Sequence, residues 1–123
     1  MYLFDLASRH MTWLAGRQSV TAANIANADT PGYRARAIAD FDSVLGKTGP
    51  GLTVTAPGHL TIHGEALAAI ALRPGASWDQ AHSGNTVSIE SELMTAGQTS
   101  RMMSLDTTIA RSFHRMLLSS LKV

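Results

Sequence analysis

Apolar residues recur at helical spacing at both ends of this chain and lose that periodicity in between. Over Leu3 to Ala28, positions alternately three and four apart read Phe4, Ala7, Met11, Leu14, Gln18, Thr21, Ile25 and Ala28. This is the heptad seam of a helix with two polar members. Asp5 stands four residues before Arg9, an order that suits both the helix dipole and an i,i+4 ion pair. The run stops at Asp29-Thr30-Pro31-Gly32, because proline disfavours helix at the residue before it and Pro-Gly turns the chain.

Ser88 to Leu121 predicts a second, longer helix. Its seam reads Ile89, Leu93, Ala96, Ser100, Met103, Thr107, Ala110, His114, Leu117 and Leu121, and a second stripe of Met102, Leu105, Ile109, Phe113 and Met116 runs beside it. Glu90 and Glu92 open the helix while Arg111, Arg115 and Lys122 lie toward its end, matching the helix dipole. Gly16 and Gly97 sit inside the two helices at a cost of ~1 kcal/mol each relative to alanine, which predicts close backbone approach at both.

The middle of the chain is broken backbone: seven of the ten glycines and three of the four prolines fall between Asp42 and Asn85. Leu52 to Thr55 and Leu60 to Ile62 alternate apolar residues with threonine, which suggests a short hairpin, with Ala68 to Leu72 as a third strand. The expected fold is therefore mainly α and elongated. Residues 1–41 and 86–123 supply long terminal helices in a coiled-coil-like pair that forms one assembly core, and residues 42–85 form an irregular segment.

Length sharpens this picture. At 1.5 Å per residue the C-terminal helix is ~50 Å long and the N-terminal one ~39 Å. A compact domain of this size is only about 35 Å across. Helices that overrun the globule, one of them carrying two apolar stripes, predict packing against other chains through Phe4, Met11, Leu14, Ile25, Ile89, Leu93, Ala96, Met103, Ala110, Leu117 and Leu121.

Composition removes several classes of function. A net charge of +1 from scattered Lys and Arg gives no field for nucleic acid or an anionic membrane. The absence of cysteine excludes disulfides, thiolate catalysis and Cys-type zinc sites. The longest apolar run, Ala66 to Leu72, is far short of the ~20 residues that span a bilayer, and the N-terminus lacks the features of a cleaved secretory signal.

Candidate chemistry is sparse. His59 and His63 are four apart, but Pro57-Gly58 before them and Gly64 after them argue for extended backbone, on which that spacing does not converge on a metal. His114 lies on the apolar seam as an interface residue. No serine sits in a Gly-x-Ser-x-Gly turn and no phosphate-binding glycine loop is present. The helix methionines suit adaptable packing. The reading is a non-enzymatic protein with no catalytic residue, metal, cofactor, small-molecule substrate or nucleic-acid partner.

One motif is far more specific. Residues 22–36, Ala-Ala-Asn-Ile-Ala-Asn-Ala-Asp-Thr-Pro-Gly-Tyr-Arg-Ala-Arg, place Asn24, Ile25, Asn27, Asp29, Thr30, Pro31, Gly32 and Tyr33 at the end of the first helix. Asn24 and Asn27 are poor helix-interior residues that bond nearby backbone, and Tyr33 pairs an apolar ring with a polar tip. This stretch closely resembles the signature of the bacterial flagellar axial proteins of the rod, hook and hook-associated family. Arg34 through Asp40-Phe41 and Leu45, Thr55 to Leu60, and Ser83 to Glu92 are similar to the proximal rod members of that family.

The resemblance implies a structural subunit of the proximal rod of the basal body, polymerising with itself and other rod subunits on the inner-membrane ring and its adaptor, and transmitting torque. It also implies a periplasmic location, reached unfolded through the flagellar type III system. Phe41 to Leu45 looks like a short recognition element for the export gate, with packing of Phe41 on the helix pair as the other reading. The rivals are another axial subunit of the rod or hook junction, and a helical adaptor or chaperone of the export apparatus.

Overall fold

The computed structural model describes residues 2–47, 72–75 and 80–121. Five elements follow one another: α1 (Tyr2–Ala26), β1 (Arg36–Ile38), α2 (Phe41–Lys47), β2 (Leu72–Pro74) and α3 (Ile89–Leu121). The two long helices fall within two residues of the expected limits at every end. Asp5 and Arg9 form the expected i,i+4 pair at 3.0 Å. Ser88 stands at the N-cap of α3, where its Oγ accepts from the Ser91 N–H at 3.4 Å. The last turn of α3 carries no base among the described residues, so Arg111 and Arg115 lie too far back to complement the dipole there.

α1 and α3 run antiparallel, and their contacts step together along the axis. Phe4 meets Phe113 edge to face at a 5.5 Å centroid distance, His10 meets Asp106 at 2.6 Å, Arg17 meets Gln98 at 3.3 Å and Asn24 meets Glu92 at 2.9 Å. Each advance of six or seven residues on α1 is matched by a retreat of six to eight on α3. The face of α3 turned to α1 therefore carries Glu92, Thr99, Asp106 and Phe113, one residue before the seam members Leu93, Ser100, Thr107 and His114 named from apolar periodicity. Thr99 is fully buried, whereas Leu93 is 58% exposed and His114 is exposed.

A small apolar cluster sits where the minor elements lean on this pair. Trp13, Leu14 and Ile38 are buried, with Phe41, Val44, Met102 and Met103 packed on them. The Trp13 indole N–H donates to the Ala39 carbonyl at 2.8 Å, and the Phe41 ring lies 4.7 Å from the His10 ring and 5.8 Å from that of Trp13. Asp40 directly precedes α2; its carbonyl accepts the Ser43 and Val44 N–H groups and its carboxylate holds Arg73 at 2.8 Å. β1 and β2 are antiparallel, with Ala37 opposite Arg73, and the Gly75 N–H extends the pair by donating to Ala35.

Three expectations need amendment. α2 falls almost wholly within the segment expected to be irregular, and among the described residues strand β2 pairs with β1, just beyond the signature. Leu72 opens β2, while Leu52 to Thr55, Leu60 to Ile62, His59 and His63 lie outside the described residues. A Cβ added at Gly97 meets nothing within 4 Å, so no close approach occurs there among the described residues.

Candidate functional site: the signature junction

The signature residues are where α1, β1 and the start of α3 are tied into one joint. Asn24 is 1% exposed and uses its whole amide. Its Nδ2 donates to the Arg36 carbonyl at 2.8 Å and to Glu92 Oε1 at 2.9 Å. Its Oδ1 accepts the Arg36 N–H at 3.0 Å and the Tyr33 hydroxyl at 3.4 Å. An amide suits this position because it offers a donor and an acceptor on separate adjacent atoms to the two backbone groups of one residue. Asn24 thus mimics a neighbouring strand for Arg36 and also reaches across to α3.

A second amide closes the joint from the other side. The Asn85 Nδ2 lies 2.9, 2.7 and 2.8 Å from the carbonyl oxygens of Asn27, Ala28 and Thr30. These oxygens face the end of α1, where helical carbonyls lack intrahelical partners. Asn85 Oδ1 accepts the Val87 N–H at 2.8 Å, which fixes the approach to α3. Backbone bonds from Gly32 to Ser83 (2.9 Å) and from Thr86 to Tyr33 (3.1 Å) zip the two segments, and the Thr86 hydroxyl accepts the Ala35 N–H at 2.9 Å. Gly32 and Gly84 both adopt positive φ, 72° and 80°, and a Cβ on Gly84 would stand 3.6 Å from the Gly32 Cα. Glycine is the residue that holds this conformation without strain.

The electrostatics of the joint centre on Glu92. Burial pushes its carboxyl above the ordinary value of 4.5, opposed by hydrogen bonds from Asn24 and Thr21. The arrangement is a clamp whose polar groups are occupied with one another. Among the described residues no three His, Asp or Glu side chains gather in a way that could hold a metal, and no helix is long and apolar enough to cross a membrane.

The named residues divide between this joint and the outer faces of the helices. Asn24 is buried; Ile25, Asn27 and Tyr33 are half-buried; Asp29, Thr30, Pro31 and Gly32 are exposed. Asn27 donates to the Ala23 carbonyl at 2.8 Å, and its Oδ1 accepts the Thr30 hydroxyl. Of the helix-face residues, Leu14 is fully buried, and Phe4, Met11, Ala96, Met103, Ala110 and Leu117 are half-buried. Ile89, Leu93 and Leu121 are exposed at 43%, 58% and 80%. Phe41 and Leu45 are half-buried on α2. Sequence reasoning missed the contacts made by His10, Asn85 and Glu92, polar residues with partners more than fifty residues away; Asn85 and Glu92 entered only within the Ser83 to Glu92 stretch of the resemblance.

An antiparallel pair of long helices, clasped at one end by a buried asparagine knot, defines a mainly helical chain whose signature residues form a joint. Comparison with known proteins gives that class a family. Residues 7–34 match the family described as Flagella basal body rod protein. The flagellar basal body rod protein FlgB of Agrobacterium fabrum is 38% identical across 98% of this chain and 92% of its own length. The FlgB protein of Salmonella typhimurium is 40% identical over 63% of this chain and 62% of its own, and that of Escherichia coli is 73% identical over a 33-residue stretch. The chain belongs to the FlgB family of flagellar basal body rod proteins.

Proposed function

We propose that this chain is a structural subunit of the proximal rod of the bacterial flagellar basal body, built into the rod through its terminal helices and without enzymatic activity. Full-length similarity to a FlgB protein carries the reading. The exposed apolar residues of α3 support its mechanical half: Leu93, Leu105, Met116 and Leu121 are each more than half exposed in the single chain, and neighbouring rod subunits supply the cover that one α1 cannot. Torque passes along the rod from the inner-membrane ring and its adaptor through such helix contacts.

Passage to the periplasm goes through the flagellar type III export gate. Phe41 and Leu45 serve two states of the chain in this reading. In the folded subunit Phe41 packs on His10 and Trp13; before folding the same residues are free to be read by the gate. Cells lacking the gene should form no rods beyond the inner-membrane ring and should not swim, and the wild-type gene should restore both. Deletion of Phe41 to Leu45 should leave the product in the cytoplasm. Normal rods in the gene deletion would refute the subunit role, and export of the shortened chain at wild-type levels would refute the recognition role.

A further inference from the structure

A cleft of about 220 Å³ opens where α1, β1, β2 and α3 meet, beside the asparagine knot. Three arginines line it, from three different elements: Arg17 of α1, Arg36 of β1 and Arg73 of β2. Their surroundings differ in one respect. Arg73 is neutralised by Asp40 at 2.8 Å. Arg17 is held by neutral groups, with its guanidinium 5.4 Å from the centre of the Trp13 ring and bonded to Gln98. Arg36 has its backbone N–H and carbonyl fixed by Asn24, so its side chain leaves from a rigid base.

Neither Arg17 nor Arg36 has a carboxylate partner among the described residues. The other carboxyl group in the cleft, Glu92, is bonded to Asn24, and burial disfavours its charged form. The hydroxyls of Thr21, Ser91 and Thr95 complete the polar lining. A recess with positive charge left over, walled on one side by buried Trp13 and Ile38, is complementary to a carboxylate, which a guanidinium binds through paired hydrogen bonds.

We infer that this cleft receives an acidic side chain of a second copy of the chain, and that Asp29 supplies it. Asp5, Asp40 and Asp106 are each engaged by a base. Of the exposed described acids that no base engages, Asp42 lies on α2 and Glu90 in the first turn of α3 bonded to Ser88, while Asp29 stands on the signature turn after α1 with no side chain among the described residues paired to it. The signature would then have two faces: buried Asn24 locks the joint, and exposed Asp29 reaches into the cleft of the neighbour. This contact rests on the subunit reading above.

Charge exchange tests it in cells whose only copy of the gene carries the variant. Arg36→Glu and Asp29→Arg should each abolish rods and swimming, and the double variant, which re-forms the pair with the charges reversed, should restore both. Helix content and thermal midpoint of each purified chain check that folding is intact. Should Arg36→Glu fail to fold, Arg17→Gln/Arg36→Gln replaces it and should also lose rods. Normal rods in both single variants would overturn the contact while leaving the subunit role standing; so would two defective single variants that the combination fails to rescue. Normal rods in the gene deletion would instead remove the subunit role itself.

Discussion

Asn24 on α1 and Glu92 on α3, 68 residues apart, are joined by a 2.9 Å hydrogen bond inside the helix pair. The bond makes the end of the first helix and the start of the last one a single structural unit, because the same amide also holds both backbone groups of Arg36. Removing it orphans an N–H, a carbonyl and a carboxyl at once. Asn24→Ala should lower unfolding free energy by about 2–4 kcal/mol, read as a shift of the urea midpoint, since each buried group left unpaired costs ~1–3 kcal/mol. Asn85→Ala should cost about 1–3 kcal/mol, because the Ala28 carbonyl and the Val87 N–H lose their partner while the Asn27 and Thr30 carbonyls keep the Thr30 and Tyr33 N–H groups. A change below about 0.5 kcal/mol in either would show that the knot is not a stabilising element.

Glu92 gives the joint a pH dependence of predictable sign. Burial raises its carboxyl above 4.5 in the folded chain, so the folded state holds the proton more tightly than the unfolded state does. Stability from this group is fully present below the unfolded value and is lost as pH rises through the folded one. Glu92→Gln, which keeps an acceptor for Asn24, should match the wild type in acid and exceed it at neutral pH. Parallel stability profiles across this range would show that the carboxyl does not titrate differently in the two states.

Two leucines separate folding from assembly. Leu14 is fully buried within the chain, and Leu14→Asp should unfold the subunit, costing at least ~3 kcal/mol through an unpaired buried charge. Leu93 is 58% exposed, and Leu93→Asp should leave helix content and thermal midpoint unchanged in the purified chain yet prevent rod formation. Normal rods with Leu93→Asp would remove that face of α3 from the subunit contacts.

The glycines should respond in opposite directions. Gly84→Ala places a Cβ on a residue at φ 80° and should cost about 1–2 kcal/mol. Gly97→Ala fills open space inside a helix and should stabilise the isolated chain by ~1 kcal/mol. Thermal unfolding of the two variants, compared with the wild type, checks both signs.

Hydrogen exchange should reveal folding coupled to assembly. One chain buries only Trp13, Leu14, Ala35 and Ile38 as apolar side chains among its described residues, a core too small to protect helices of 25 and 33 residues uniformly. Amides of α1 and α3 should exchange rapidly in the purified subunit and slowly in isolated basal bodies. Equal protection in both would favour a helical adaptor that folds by itself.

The long helices were legible because apolar periodicity over 25 or more residues leaves little freedom in the assignment, and Pro31-Gly32 marks a stop that sterics enforce. The face of α3 turned to α1 was legible in part: Met103 of the apolar seam packs on the Trp13–Leu14 cluster, but fully buried Thr99 lies one residue before Ser100. Periodicity of apolar groups selects Leu93, but the position turned to α1 is Glu92, since the seam alternates apolar layers with polar ones that no hydrophobic pattern records. β1 and α2 escaped for a different reason. A three-residue strand has no period, and Phe41 to Lys47 folds as a helix with Asp40 beginning its hydrogen bonding and the His10–Trp13 surface receiving Phe41. Within the signature, Asn24 was identifiable as a residue out of place in a helix, but its partners 12 and 68 positions away were not.

The spacing of the polar links along the helix pair bears on how the subunit carries load. The contacts His10–Asp106, Arg17–Gln98 and Asn24–Glu92 lie about two turns apart on α1. Sliding one helix along the other stretches all three together, so the links share a shear force in parallel and must yield at nearly the same displacement. Peeling the helices apart from one end would break them singly. A pair fastened in this way resists sliding along its length more than splaying from one end.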